Sequence, residues 1–330
     1  MKKILLTGGL GYIGSYFVEN YSEKYAIKII DTNYFQYQYK NDKNFNNPLI
    51  KDTRNIIKED INDIDYIVHM GELSNDPLGD LNKDLTKDIN HVATKNLLEL
   101  ANKSNIKKFI YMSSASVYGF SEEIMDESSP VKPLTEYSKA KVLNEQYILQ
   151  NNFSFETVIL RNSTAFGFSK NLRLDLVVND LTYGGLVNNE INLLSDGTPR
   201  RPLVHIHDIC NTIHTVINDS RNLDKEVFNV GSDKMNYSIK DIAEKIGISL
   251  NLEQITFGKH DSDQRSYVLN FNKLNSFFPN FNIKYTLEEG IDDLVKNLKR
   301  YEITGSEKRI KILNELIDYK KIDKNLYWIK

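Results

Sequence analysis

The chain has 330 residues, 40% hydrophobic and 26% charged, enough for one large folded unit or two coupled ones. A net charge of −3 gives no support to a nucleic-acid partner, and a single cysteine, Cys210, excludes an internal disulfide and a cysteine metal cluster. Apolar runs fall well short of the roughly twenty residues of a membrane span, and the opening residues show no export-type cleavage site, so the expectation is a cytoplasmic protein with no membrane partner.

In chain order, residues 4–7 form a short apolar strand, 13–20 a helix, 27–31 a second strand ending in Asp31, and 65–70 another apolar strand. Helical spacing runs over 89–103, a strand over 108–113 ends in hydroxyls, 137–150 is a helix, and 155–161 is again a strand. Strands alternating with helices in this way predict an α/β fold, a doubly wound parallel sheet of Rossmann type covered on both faces. The second half changes character. Residues 174–183 look helical, 191–194 and 203–205 suggest short strands around the Asp196-Gly197 turn, 206–217 a helix, 227–230 a strand, and 239–246 a helix closed by Gly247. From about Thr286 the chain is helical and charged. The expected organisation is a nucleotide-binding lobe over 1–168 and a smaller mixed α/β substrate-binding lobe over 169–330, with segments near 203–231 returning to the first lobe.

The strongest local signal is Thr7-Gly8-Gly9-Leu10-Gly11-Tyr12-Ile13-Gly14. Gly8, Gly11 and Gly14 follow a strand and open a helix, where they suit a tight turn, close approach of a pyrophosphate, and close helix–sheet packing. The pyrophosphate then meets the unpaired amides of the helix N-terminus. Asp31 ends the next strand and can accept hydrogen bonds from ribose hydroxyls. Thr32, Asn33 and Tyr34 follow with no neighbouring cation for a 2′-phosphate, which favours NAD over NADP.

Ser113 and Ser114 lie at a strand end, and Tyr137 and Lys141, four apart, share a helix face. A nearby ammonium lowers a phenol pKa from its reference near 10 toward neutrality. The phenolate can then take the proton of an alcohol as a nicotinamide takes its hydride. The Tyr-x-x-x-Lys spacing alone is also that of a solvated helix face. Its order after the glycine turn, Asp31 and Ser114 is what points to chemistry.

These residues resemble the extended short-chain dehydrogenase/reductase superfamily, in its nucleotide-sugar epimerase/dehydratase branch. The resemblance runs from Lys3 to about Asp293, carried by the glycine turn, Ser113-Ser114-Ala115-Ser116-Val117-Tyr118-Gly119, Tyr137-Ser138-Lys139-Ala140-Lys141 and Arg201-Pro202-Leu203-Val204-His205-Ile206-His207-Asp208. It implies a homodimer, NAD as cofactor and a nucleotide-diphosphate sugar as substrate. It implies Ser114, Tyr137 and Lys141 as catalytic residues. For the cofactor it implies Gly8, Gly11, Tyr12, Ile13, Gly14, Asp31 and Asn33, together with Asp52, Thr53, Met70, Gly71 and Asn90. For the substrate it implies Ser74, Ala115, Ser116, Asn162 and Asn179, with Arg201 and Arg265 on the diphosphate, where a guanidinium fork suits phosphate oxygens. Pairing would use the Tyr/Lys helix, at positions such as Val142, Leu143 and Ile148, which equally suit a core. The resemblance makes His205 structural, and no metal is expected.

Two departures bear on the reaction. Where 4,6-dehydratases of the branch carry an Asp and a Glu, this chain has Ala115 and Ser116, neither of which can act as a carboxylic acid. Glu72 replaces a small apolar residue, in the segment Val68-His69-Met70-Gly71-Glu72-Leu73-Ser74-Asn75-Asp76-Pro77. It is read as a substrate-side residue that binds sugar hydroxyls or assists proton transfer at a neighbouring carbon, or else as a solvated loop acid. Arg173 is placed near the substrate phosphates or a loop of a second subunit. The expected function is a 4-epimerase, with a 4-dehydrogenase that releases the ketone as the alternative and a non-catalytic NAD or nucleotide-sugar binding protein as a third reading.

Overall fold

A computed structural model describes residues 1–35, 43–45, 47–74, 76–193, 195–259, 265–301 and 308–318. Asn75 and Leu194 lie outside them. Strands β1 (Lys3–Thr7), β2 (Ala26–Asp31), β3 (Leu49–Ile50), β4 (Tyr66–His69) and β5 (Lys108–Ser114) alternate with helices α1 (Tyr12–Tyr21), α2 (Asp76–Asp80), α3 (Lys83–Lys87) and α4 (Ala93–Ala101). After strand β6 (Phe120–Met125) come α5 (Glu136–Gln150), β7 (Glu156–Asn162), β8 (Thr164–Phe166), α6 (Val177–Asn188), β9 (Ile191–Leu193), β10 (Arg200–His205) and α7 (Ile206–Asn218). The chain continues through β11 (Glu226–Val230), β12 (Asn236–Ser238), α8 (Ile239–Leu250), β13 (Ile255–Phe257) and β14 (Ser266–Leu269), then α9 (Asn272–Phe277), α10 (Leu287–Tyr301) and α11 (Lys308–Asp318).

Seven strands form one sheet in the order β11-β7-β5-β4-β1-β2-β3, with every pair parallel. Ile4, Leu5 and Leu6 are each fully buried, which is why β1 reads as an apolar run and not an alternation. Leu6, Val68 and Ile110 point into one core with α1 and α7, and Leu5, Ile67 and Phe109 into the other with α4 and α5. Strand order reverses beside β1, and this opens a crevice at the carboxyl ends of the strands. The glycine turn follows β1, Asp31 ends β2, Gly71 follows β4, Ser114 ends β5 and Asn162 ends β7.

The smaller strands depart from the expected arrangement. Residues 191–193 and 200–205 do not pair across the Asp196-Gly197 turn. Strand β9 pairs with β13, while β10 runs between β8 and β12. β11, from the second half of the chain, is one of the two outer strands of the large sheet. The helix expected over 89–103 begins earlier and contains one π-turn over Asp88–Val92, which turns Asn90 inward.

Candidate active site

Two cavities meet at the crevice. The first, about 910 Å³, is floored by the glycine turn. Gly8 takes a left-handed φ of +71°, and a Cβ there would lie 2.7 Å from the Met70 carbonyl. At Gly14 a Cβ would lie 2.5 Å from the Gly8 carbonyl, so α1 packs at a distance only glycine allows. The cradle therefore fits a dinucleotide: Gly11, Tyr12 and Ile13 present the start of α1 to the cavity, beside Thr53, Met70 and Gly71. Tyr12 contributes backbone, because its buried hydroxyl donates to the Gly167 carbonyl at 2.6 Å.

Asp31 faces the same cavity and is fixed by two amides, Leu10 at 2.9 Å and Asn33 at 2.7 Å. Burial pushes its carboxyl up, and those amides oppose the shift. Asp52 also borders the cavity, but Arg54 donates to both its oxygens and Tyr34 donates to one. Asn90 does not border it. Its side chain is fully buried and grips both backbone groups of Leu73, at 2.8 and 3.0 Å. It is thus a clamp on the loop that carries Glu72.

The second cavity, about 1930 Å³, is bordered by Ser114, Ser116, Tyr137, Lys141 and Asn162 on one side and by Arg201 and Arg265 on another. The Tyr137 hydroxyl has no hydrogen-bond partner among the described residues, and the Lys141 ammonium lies 5.4 Å from its ring centre. Ser114 caps the turn that follows β5, accepting from the Ser116 amide at 3.1 Å, and presents its hydroxyl to the same space. Ala115 is 1% exposed and belongs to the wall's core.

Helix α5 is held to the sheet by a buried network. Glu145 accepts from Ser113 at 2.5 Å and from Arg161 at 2.7 Å, and Arg161 in turn donates to the Tyr118 hydroxyl at 2.9 Å. Paired and hydrogen-bonded throughout, these charges lock the helix in one position, and removing one partner would strand the other. Asn144 adds donations to the Asn90 carbonyl at 2.7 Å and to the Tyr111 hydroxyl at 2.8 Å.

Glu72 lies between the cavities, with its side chain 1% exposed. It pairs with Lys141 at 2.7 Å and accepts from the Tyr111 hydroxyl at 2.9 Å. It is not a solvated loop acid: while bordering both cavities it is the counter-ion of Lys141. This changes the expected acidity of Tyr137. Burial raises the phenol above its ordinary value of 10, and the pull of Lys141, whose charge Glu72 shares, does not overcome it.

Among the remaining substrate-side residues, Asn179 is the one that resolves differently. Asn179 is fully buried, accepting from the Gly167 amide at 3.0 Å and donating to the Arg173 carbonyl at 2.9 Å, so it positions the loop and does not reach the cavity. Arg265 reaches the cavity with its guanidinium paired to Asp76. Arg201 donates to the Arg200 carbonyl at 2.8 Å and to the Arg265 carbonyl, which joins the two arginines into one wall. Ser74 borders both cavities, and Arg173 donates to its hydroxyl at 3.2 Å.

His205 stacks on Tyr285 at 3.8 Å between ring centres and accepts from the His207 amide; burial holds its pKa near about 3. Cys210 is fully buried and its thiol is pushed up. Among the described residues no three His, Cys, Asp or Glu side chains are grouped to hold a metal ion. Val142 and Ile148 belong to the core, whereas Leu143 is 40% exposed. One cavity residue, Arg309 of α11, was outside any sequence expectation.

A Rossmann-type sheet with a glycine cradle and a tyrosine–lysine helix at its switch point defines the dinucleotide-dependent enzymes of the short-chain dehydrogenase/reductase type. Residues 4–231 match the NAD dependent epimerase/dehydratase family, and the chain belongs to that family. It is accordingly an NAD-dependent enzyme. A putative UDP-glucose 4-epimerase of Methanocaldococcus jannaschii is 27% identical over 241 residues, 70% of this chain and 77% of that one. UDP-glucuronic acid 4-epimerase of Bacillus cereus superposes with a TM-score of 0.80 at 23% identity, covering 91% of this chain and 99% of its own. dTDP-glucose 4,6-dehydratase of Bacillus anthracis superposes with a TM-score of 0.78 at 24% identity, covering 92% and 98%. No described helix is long and apolar enough to cross a membrane.

Proposed function

We propose that the chain is a nucleotide-sugar 4-epimerase. The observation that carries this reading is a phenol, Tyr137, bordering the larger cavity with no hydrogen-bond partner for its hydroxyl among the described residues, beside Ser114 and Lys141, while Ala115 and Ser116 stand where the dehydratase pattern has its acids. The two carboxylates nearest the phenol are both matched by cations, Glu72 by Lys141 and Asp76 by Arg265, which leaves neither free to shuttle protons for loss of water.

In this mechanism the wall of Arg201 and Arg265 holds the diphosphate and presents the sugar to the phenol. Ser114 donates to the C4 oxygen and Tyr137, in its phenolate form, accepts the C4 hydroxyl proton. NAD held by the glycine turn and Asp31 would supply a reversible hydride acceptor at C4. Tyr137 returns its proton after the 4-keto ring has presented its other face. The same residues serve a 4-dehydrogenase, which differs only in letting the ketone leave. Leu143, Leu149 and Val92, each more than a third exposed, are the apolar positions from which a homodimer interface would be built.

The test is incubation of purified protein with UDP-, GDP-, CDP- and dTDP-sugars, with products read by mass and NMR. The expected result is unchanged mass with inversion at C4. Loss of two mass units would make it a dehydrogenase, loss of water a dehydratase, and tight NAD binding without turnover across the panel a binding protein.

A further inference from the structure

Helix α11 (Lys308–Asp318) lies beyond the residues that match the family and packs over the mouth of the cofactor cleft. Eleven residues are too few for a helix to be stable alone in water, so its packing determines whether it forms. Leu313 and Leu316, 0% and 5% exposed, are buried against Tyr34, Leu73, Leu78 and Ile89. That anchorage carries Arg309 into the lining of the cleft that the glycine turn also borders.

Arg309 there lies against the Phe35 ring at 4.1 Å and donates to the Ser74 hydroxyl at 3.3 Å. Arg173 donates to the same hydroxyl at 3.2 Å. Two guanidiniums thus converge on one neutral oxygen. Asp175 takes two hydrogen bonds from Arg173, whereas the Arg309 Nε is buried and has no hydrogen-bond partner among the described residues. Burial and then the charge of Arg173 pull Arg309 below the usual guanidinium range, against the opposing charges of Asp175 and Asp31. Two cations packed this closely call for an anion, and the cleft they line holds a cradle for pyrophosphate.

We propose that Arg309 binds the pyrophosphate of NAD, completing the site that the glycine turn builds. The inference rests on the family's use of NAD and not on the epimerase reading. A clamp of this kind slows cofactor loss, which suits a reaction that regenerates NAD in place.

The experiment uses the full chain stripped of nucleotide, with no sugar present, so its failure is separate from any failure to turn over a sugar. Binding of NAD, ADP-ribose and adenosine is measured for the parent and for Arg309→Ala, adenosine by ligand-observed NMR. The expected result is a loss of about tenfold to a hundredfold for NAD and ADP-ribose, the span of a charge-assisted hydrogen bond, with adenosine changed by less than about twofold. Arg309→Lys, which keeps the charge and the stem, is expected to fall between the two and covers the case in which alanine loosens α11. Unchanged NAD affinity in both variants overturns the proposal, and so does an equal loss for all three ligands.

Discussion

The cofactor cleft and the larger cavity are built on opposite plans. The cleft is floored by backbone from one short stretch, Gly8 to Gly14, and its acid Asp31 is already fixed by amides of its own neighbourhood. The larger cavity is walled by side chains far apart in sequence, from Glu72 to Tyr137 to Arg201 and Arg265, and several are held by one another. Backbone gives a fixed shape for a ligand that is always the same. Side-chain walls can be exchanged singly, and substrate preference is set by such groups.

If that division holds, changes on the cavity side should alter chemistry or substrate affinity while leaving NAD binding intact. The largest expected effect is from Tyr137→Phe: redox turnover falls at least about a thousandfold, within the range of lost acid–base catalysis, while NAD affinity stays within about twofold by calorimetry. Full activity in this variant would remove Tyr137 from its role. Arg201→Ala comes next, with KM for the nucleotide sugar raised about tenfold to a hundredfold and kcat little changed in steady-state kinetics. An equal fall in kcat and kcat/KM would place Arg201 at the transition state and blur the comparison.

Glu72→Gln sharpens it further, because Glu72 belongs to both cavities. Without the carboxylate, the whole charge of Lys141 acts on the phenol that burial has raised. The acid limb of the pH–rate profile should move to lower pH, with KM largely preserved. A limb that stays in place would make Glu72 a packing residue only.

The smallest effect concerns stability. His69 and His205 are both held near about 3 by burial, so each stays neutral in the fold, whereas in the unfolded chain each takes up a proton around 6.5. The unfolded state therefore binds more protons over this interval. Stability that is complete above about pH 6.5 declines as the pH falls toward 3, by at most about 1.4 kcal/mol per unit for each histidine. Urea denaturation at pH 7.5, 6 and 5 measures the slope, and replacing His69 with a neutral residue should flatten it.

The cleft was the more legible of the two in sequence. Its glycines must be contiguous and must follow a strand, and Asp31 must end the next one, so order along the chain carries the geometry. Ser114, Tyr137 and Lys141 were legible for the same reason. Polar residues beside a site were not, because a buried amide serves backbone as readily as ligand: Asn90 clamps Leu73 and Asn179 clamps Gly167. The acidity of Tyr137 was misjudged because spacing reports the lysine and is silent about burial and about Glu72. Arg309 left no trace, since only the packing of α11 brings it into a cleft bordered by a turn at the other end of the chain.

The placement of β11 has a consequence for biosynthesis. This outer strand pairs with β7, yet β8, α6, β9, β10 and α7 are made between them. Ribosomes add about 5–20 residues each second, so β7 waits for several seconds with its outer backbone groups unpaired. During that interval the nascent chain offers a template to any other extended polypeptide, and holding factors that shield it should raise the yield of native protein.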